Sequence, residues 1–206
     1  MTRDELKSDI DYLRELAEAG EAAPLLGGRF ALWWGGLATL VLLAHWTIVS
    51  GRAPLGVEAL WPLWLGFIVI GSIGSAFLGL SLRGKPGAGS VGNRVEGAVW
   101  PSAGLAIFAY FLGVTAGVLT GQLSPVFYNT ILPAALLGYS VSWMTMARIV
   151  RRPVLFIPAG VALAGVAAAA ALAATHWVYL VTAAAIFGST VAPGLVLMTR
   201  EPRTVV

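Results

Sequence analysis

The sequence contains no cysteine and few charged residues. Of its 206 residues only 11% are charged, whereas 58% are hydrophobic. The lack of cysteine excludes a disulfide-linked scaffold and a thiol nucleophile. So small a share of charge excludes an ordinary soluble globule and an intrinsically disordered chain. The mean hydropathy of +0.82 instead indicates a polytopic α-helical membrane protein.

Charged residues are missing altogether from six long apolar stretches. Each stretch is long enough to cross a hydrocarbon core of about 30 Å as a helix, which takes about 20 residues. The strands of a membrane β-barrel would be about 10 residues long and would alternate between apolar and polar residues. We therefore predict an all-α bundle of six transmembrane helices, arranged as three helical hairpins. The predicted spans are Phe30–Val49, Leu60–Leu82, Ala98–Thr120, Val126–Ala147, Pro153–Ala174 and Trp177–Thr199. The corresponding domains are an N-terminal segment (1–29), a transmembrane domain (30–199) and a short tail (200–206).

Basic residues are nearly absent from one side of this predicted topology. Of the 13 Lys and Arg residues, all except Arg52 lie before the first span, after the last, or in the loops that follow spans two and four. Short basic loops remain in the cytoplasm, which predicts cytoplasmic N- and C-termini in a bacterial-type inner membrane. Anionic lipid headgroups are the expected partner of these residues, and nucleic acid is not.

The N-terminal segment combines an apolar stripe with an acidic charge. Leu6, Ile10, Leu13 and Ala17 recur at helical spacing, which predicts an amphipathic helix. Residues 1–29 carry seven acidic and four basic residues, the wrong sign for binding an anionic lipid surface. We expect this helix to dock on protein, either on the basic face of its own bundle or on another chain. The alternative is a solvated helix that only orders the first span.

Ionisable residues inside the spans are limited to one histidine, His45. This scarcity argues against a carboxylate-coupled transporter, a voltage sensor and an enzyme with acidic metal ligands. His45 and His176 lie toward the same predicted face, where two imidazoles could bind haem or a metal ion. Two histidines alone are a small ligand set, and interfacial histidines usually bond to water or backbone. We therefore expect no cofactor, with haem or metal at these histidines as a lesser alternative.

Hydroxyl groups are concentrated in the fourth predicted span. Tyr139, Ser142 and Thr145 recur every three residues, on roughly one helix face. Together with Ser189 and the kink expected at Pro193, they are candidates for lining a pathway for a neutral solute. The same hydroxyl groups are favoured more as hydrogen-bonding contacts that hold neighbouring helices together.

Small residues recur every four positions in two spans. Gly113, Gly117 and Gly121 form such a stripe in the third span, and Gly71, Ser75 and Gly79 form one in the second. Small residues let helices approach closely in lipid, so both stripes predict helix packing within the molecule or in a homo-oligomer.

The leading functional hypothesis from these patterns is a non-enzymatic inner-membrane protein. It would be a structural or accessory subunit, or a bundle that self-assembles, with a second copy or another membrane protein as its partner. The alternative is a channel or uncoupled carrier for a small neutral or hydrophobic solute, with the N-terminal helix as a cytoplasmic lid.

Overall fold

A computed structural model describes residues 5–12 and 23–201, and all regular structure in these ranges is helical. Six segments are long and apolar enough to span a membrane, which confirms the predicted all-α, six-helix membrane fold. The helices are α1 (Gly28–Val49), α2 (Leu60–Ser81), α3 (Val91–Leu119), α4 (Ile131–Ile149), α5 (Phe156–Ala171), α6 (Trp177–Ile186) and α7 (Ala192–Thr199). Short 3₁₀ turns precede α2, α4 and α5, and a π-helical turn (Phe187–Val191) joins α6 to α7 into the sixth span.

The third span begins earlier than the sequence predicts. Helix α3 starts at Val91 rather than at Ala98, because the side chain of Ser90 caps it by accepting a hydrogen bond from the backbone N–H of Asn93. Arg94 and Glu96 therefore lie within the first two turns of a helix and not in a loop. The predicted start is too late because the prediction places the start of a span after the last charged residue that precedes the apolar stretch.

The spans pack as three hairpins, one with two, three with four and five with six, and four spans form the centre of the bundle. Helix α1 packs against the sixth span, α5 lies against α4 and α6, and α4 also contacts α6. The two remaining helices are peripheral: α2 packs mainly on α1, and α3 mainly on α4. Both peripheral helices leave most of their surface exposed, as expected for faces that meet lipid.

Two apolar clusters fill the interior, one toward each end of the bundle. The end at which α1 and α3 begin is called the basic end here, because it carries most of the arginines of the described residues. Its cluster surrounds Trp143, which is completely buried. The other cluster includes Leu42, Leu136 and Val178, all of which are also fully or almost fully buried.

The contact between α1 and α2 depends on tryptophans that lie over small residues. Trp33 donates from Nε1 to the carbonyl oxygen of Gly71 (3.2 Å), and Trp34 donates from Nε1 to Oγ of Ser75 (2.7 Å). A Cβ atom on Gly71 would lie 2.3 Å from the ring of Trp34. Gly79, at the end of the same stripe, has no atom within 4 Å of its Cβ position.

The described part of the N-terminal segment is a short helix over residues 5–12 with exposed side chains. Leu6 is 45% exposed and Ile10 is 56% exposed. Leu13 and Ala17 lie outside the described residues, so docking of this helix on protein stays a prediction.

The Trp34 contact predicts unequal effects for the same substitution at two glycines of α2. Gly71→Ala should lower the free energy of unfolding by about 1–3 kcal/mol, because the indole must move to admit the methyl group. Gly79→Ala is the matched control, since it changes helix propensity equally but meets open space. Unfolding in mixed micelles, followed by circular dichroism, measures both. Equal stability of the two variants would contradict the role assigned to Gly71.

Candidate functional site

The chain segment before α1 is fastened to the start of α3 by one asparagine. Oδ1 of Asn93 accepts a hydrogen bond from the backbone N–H of Leu26 (2.8 Å). Nδ2 of Asn93 donates to the carbonyl oxygens of Pro24 (2.9 Å) and Gly87 (2.8 Å). Between these bonds the side chain of Leu25 enters the apolar cluster at the basic end, where it is 2% exposed. Asn93 thus satisfies backbone groups of two separate segments at once.

A buried carboxylate completes this fastening one turn further along α3. Glu96 is only 7% exposed, and its Oε2 accepts a hydrogen bond from the backbone N–H of Gly27 (2.9 Å). The first N–H groups of a helix lack partners within the helix and favour a negative charge nearby. A Cβ on Gly27 would lie 1.9 Å from the Glu96 carboxylate, so any side chain at this position would displace that carboxylate. Glu96 therefore acts as a cap supplied to α1 by α3.

Three charged groups join the ends of three helices at the same end of the bundle. Nε of Arg29 lies 2.8 Å from Oε2 of Glu201, and Nζ of Lys85 donates to Oε1 of the same carboxylate. Partial burial acts to raise the pKa of Glu201, but the hydrogen bonds and charges of Lys85 and Arg29 outweigh it, so the pKa lies below its usual value. The cluster connects the start of α1 with the residues that follow α2 and α7.

His45 lies in an aromatic site at the other end of the bundle. Its Nδ1 accepts a hydrogen bond from Nε1 of Trp64 (2.9 Å), and its ring stacks on Tyr179 with 3.8 Å between centroids. The hydroxyl of Tyr179 in turn donates to Oδ1 of Asn129, and Nδ2 of Asn129 donates to the carbonyl oxygen of Ala173 (2.7 Å). These contacts connect four of the six spans.

The structure gives the two histidines different partners. The ring of His176 contacts Trp177, whereas that of His45 contacts Trp64 and Tyr179. Since Nδ1 of His45 already accepts a hydrogen bond, only Nε2 remains as a ligand atom. Within residues 5–12 and 23–201 no group of three or more His, Cys, Asp or Glu side chains is placed to hold a metal ion. Haem or metal at these histidines stays a prediction.

The hydroxyl groups proposed to line a pathway are distributed over separate places. Ser142 and Thr145 line an open groove of about 640 Å³ between α3 and α4. Tyr139 instead packs edge-on against Trp100. Ser189 is fully buried within the π-helical turn, four residues before Pro193 of α7. The groove lining contains none of these last three candidates.

The glycines of the stripe in α3 have three different surroundings. Gly113 faces open space, and Gly117 lies against the side chain of Leu123 in the loop that follows α3. Gly121 has a φ of +75° just past the end of α3, which is a conformation that glycine adopts readily at helix ends. Of the three, Gly113 therefore offers an unoccupied small-residue surface.

Sequence reasoning missed the residues that make the longest-range contacts. Asn93 and Glu96 were assigned to a loop, and Trp64 and Tyr179 were not selected at all. A signal was present for Glu96, since an acidic residue so close to an apolar span needs a partner. The identity of that partner, a backbone amide 69 residues away, has no signature in the sequence.

Comparison with known proteins gives no match. The chain matches no protein-family model, no curated protein and no solved structure.

The bonds of Asn93 predict a local effect on the segment before α1. Asn93→Ala leaves the N–H of Leu26 and the carbonyl oxygen of Pro24 without these partners, whereas the carbonyl oxygen of Gly87 keeps its bond from the backbone N–H of Ser90. The loss should cost about 1–3 kcal/mol for each buried group that water cannot reach. Hydrogen exchange should then show lower protection of the Leu26 amide. Ser102→Ala is the control, because the Ser102 hydroxyl bonds only to its own helix at an exposed position. Unchanged protection of the Leu26 amide in the Asn93 variant would show that Asn93 does not hold the segment before α1 in place.

The lowered pKa of Glu201 predicts a pH-dependent contribution to stability. A folded-state pKa below the unfolded value of 4.5 stabilises the protein fully above that value. The contribution is lost as the pH falls below 4.5 and through the folded-state pKa. Glu201→Gln removes it, so the difference in thermal midpoint between the native protein and this variant should shrink on acidification from about pH 7 to about pH 3. A difference that stays constant over this range would contradict the prediction.

Proposed function

We propose that this protein is a non-enzymatic structural or accessory component of a bacterial-type inner membrane that assembles with a second copy of itself. The observation that carries the proposal is the exposure of the peripheral helix α3. Apart from short turns, α3 packs mainly on α4, and it presents Gly113 to open space on its outer side. Ala109, one turn earlier, is also exposed and small. In lipid, helices associate where small residues permit close backbone contact.

The composition of this exposed α3 surface favours contact with a second copy over exposure to water. The exposed side of α3 contains no charged residue between Gly97 and Leu119, so lipid or another helix must cover it. Leu105 and Leu119, the most exposed leucines of α3, lie on both sides of Gly113 along the chain and can pack over a close helix contact. A self-complementary patch of this kind suits a two-fold dimer, the commonest form of homo-oligomer.

The proposal includes an orientation with both chain termini in the cytoplasm. It is supported by the basic end, where Arg83, Arg94, Arg148 and Arg200 are all exposed. Among the described residues, Arg52 is the only Lys or Arg at the other end, and its guanidinium lies 4.4 Å from the ring centroid of Trp46. Basic residues retained on the cytoplasmic side account for this asymmetry.

Transport of a small neutral or hydrophobic solute stays a prediction. Its candidate residues Ser142 and Thr145 share a groove, but that groove opens sideways between α3 and α4. A channel would instead need polar groups that continue through the bundle centre. Uptake by proteoliposomes of a neutral solute such as glycerol, compared with empty liposomes, discriminates the two functions.

The absence of cysteine allows a direct test of assembly. A single cysteine at Gly113 or Ala109 should form a disulfide between two copies in native membranes under mild oxidation, because disulfides need Cα atoms within about 7 Å. Phe108→Cys is the matched control, since it is exposed on the same helix but lies outside the small-residue stripe. The measurement is the fraction of dimer on a non-reducing gel. Equal cross-linking at all three positions would indicate random collision and refute the proposal.

The same approach tests the orientation. A cysteine at Ser124, in the loop between α3 and α4, should react with a membrane-impermeant maleimide added to intact spheroplasts. A cysteine at Gly89, in the loop between α2 and α3, should react only after lysis. The reverse pattern would place the termini outside and overturn the assignment of the basic end to the cytoplasm.

A further inference from the structure

The groove between α3 and α4 has the length of one lipid leaflet. On α3 its lining extends from Ala98 to Tyr110, and on α4 from Ala134 to Thr145. At 1.5 Å per residue, the α3 wall is about 18 Å long. Half of a hydrocarbon core of about 30 Å is about 15 Å. Because Ala98 and Thr145 lie toward the basic end, the groove covers the leaflet on that side.

The walls of the groove suit a hydrocarbon chain better than a polar solute. Most lining residues are alanine, valine, leucine or isoleucine. The hydroxyls of Ser102 and Ser142 donate to carbonyl oxygens of their own helices (2.8 and 2.7 Å), and that of Tyr110 is paired with Thr130 at 3.0 Å. These three hydroxyl groups are already engaged inside the protein, so apart from Thr145, near the basic end, the lining of the groove is mostly apolar.

Two exposed arginines lie at the end of the groove nearest the basic end. Arg94 precedes the lining residue Ala98 by one turn of α3, and Arg148 follows Thr145 by three residues in the last turn of α4. Both arginines are exposed, and neither has an ion-pair partner among the described residues. In contrast, Arg29 and Lys85 at the same end are paired with Glu201.

We propose that the groove between α3 and α4 binds one anionic phospholipid, with an acyl chain in the groove and the phosphate held by Arg94 and Arg148. Guanidinium groups form charge-assisted hydrogen bonds with phosphate oxygens, and their long side chains extend from a helix end to the headgroup level. A volume of about 640 Å³ is in the range of specific small-molecule sites. The carboxylate of Glu96 is buried and accepts a hydrogen bond from the backbone N–H of Gly27, so it is engaged within the protein.

This site uses different residues from the proposed dimer. The groove lining on α3 ends at Tyr110 and does not include Ala109 or Gly113, the residues of the dimer contact. Lipid binding and self-assembly can therefore fail separately.

The test measures lipid retained by the full-length protein. Native mass spectrometry from detergent gives the fraction of protein that carries palmitoyl-oleoyl phosphatidylglycerol, compared with phosphatidylcholine of the same chains. We expect the phosphatidylglycerol to be preferred, and each of Arg94→Gln and Arg148→Gln to weaken its binding about fivefold. The double variant Arg94→Gln with Arg148→Gln is compared with Arg83→Gln with Arg200→Gln, the matched control, which removes the same charge from the basic end away from α3 and α4.

A second variant tests the acyl chain separately from the headgroup. Ala106→Trp places a bulky side chain on the groove wall at an exposed position, and should reduce retention of both lipids while the arginines remain. Equal losses in the Arg94/Arg148 and Arg83/Arg200 variants would show a diffuse charge effect and overturn the site. Full retention by Ala106→Trp, or displacement of the lipid by inorganic phosphate alone, would reduce the site to an anion site and overturn the lipid assignment.

Discussion

Hydrocarbon offers no hydrogen-bond partner, so every backbone amide and carbonyl within the bilayer must find its partner in the protein itself. This constraint explains why the spans are helices. It also explains the side chains of Thr39 and Ser142, which donate to carbonyl oxygens one turn earlier in their own helices. The start of α1 most needs hydrogen-bond partners from elsewhere in the chain, because the amides there lie against α3 rather than in water. Asn93 and Glu96 provide the acceptors that these amides need.

Association of the helices follows from contact geometry and not from burial of apolar surface. Lipid chains are as apolar as leucine, so a leucine gains little by leaving lipid for protein. The contact between α1 and α2 gains instead from indole rings that lie close to glycines of α2 and donate to oxygen atoms of α2. Near the start of α1, the sixth span achieves close contact without aromatic residues, since backbone atoms of Gly194 come close to those of Gly28.

The number, type and hairpin pairing of the spans could be predicted because they depend on local composition. A stretch without charge and of sufficient length has one stable form in lipid, wherever it lies in the chain. The start of α3 could not be placed in this way, since it depends on Ser90 as a cap and on a distant partner for Glu96. The stripe of Gly113, Gly117 and Gly121 shows a related limit. Equal spacing in the sequence does not distinguish a packing surface from a loop contact or a helix end.

The candidate sites were harder to predict than the fold because each depends on residues far apart in sequence. His45 was identified as a possible ligand, but its bond to Trp64 and its stacking on Tyr179 follow from how α1 packs against α2 and α6. The groove was anticipated only through Ser142 and Thr145, since its second wall belongs to another helix.

The π-helical turn in the sixth span has a consequence for how one helix can serve two sets of neighbours. A π turn holds one residue more than an α turn, and one added residue rotates everything beyond it by about 100° about the helix axis. Before the turn, α6 contacts α1, α4 and α5, whereas α7, beyond the turn, packs mainly on α1. The additional residue therefore rotates α7 relative to α6, so that the two halves of the sixth span can present different faces to their neighbours.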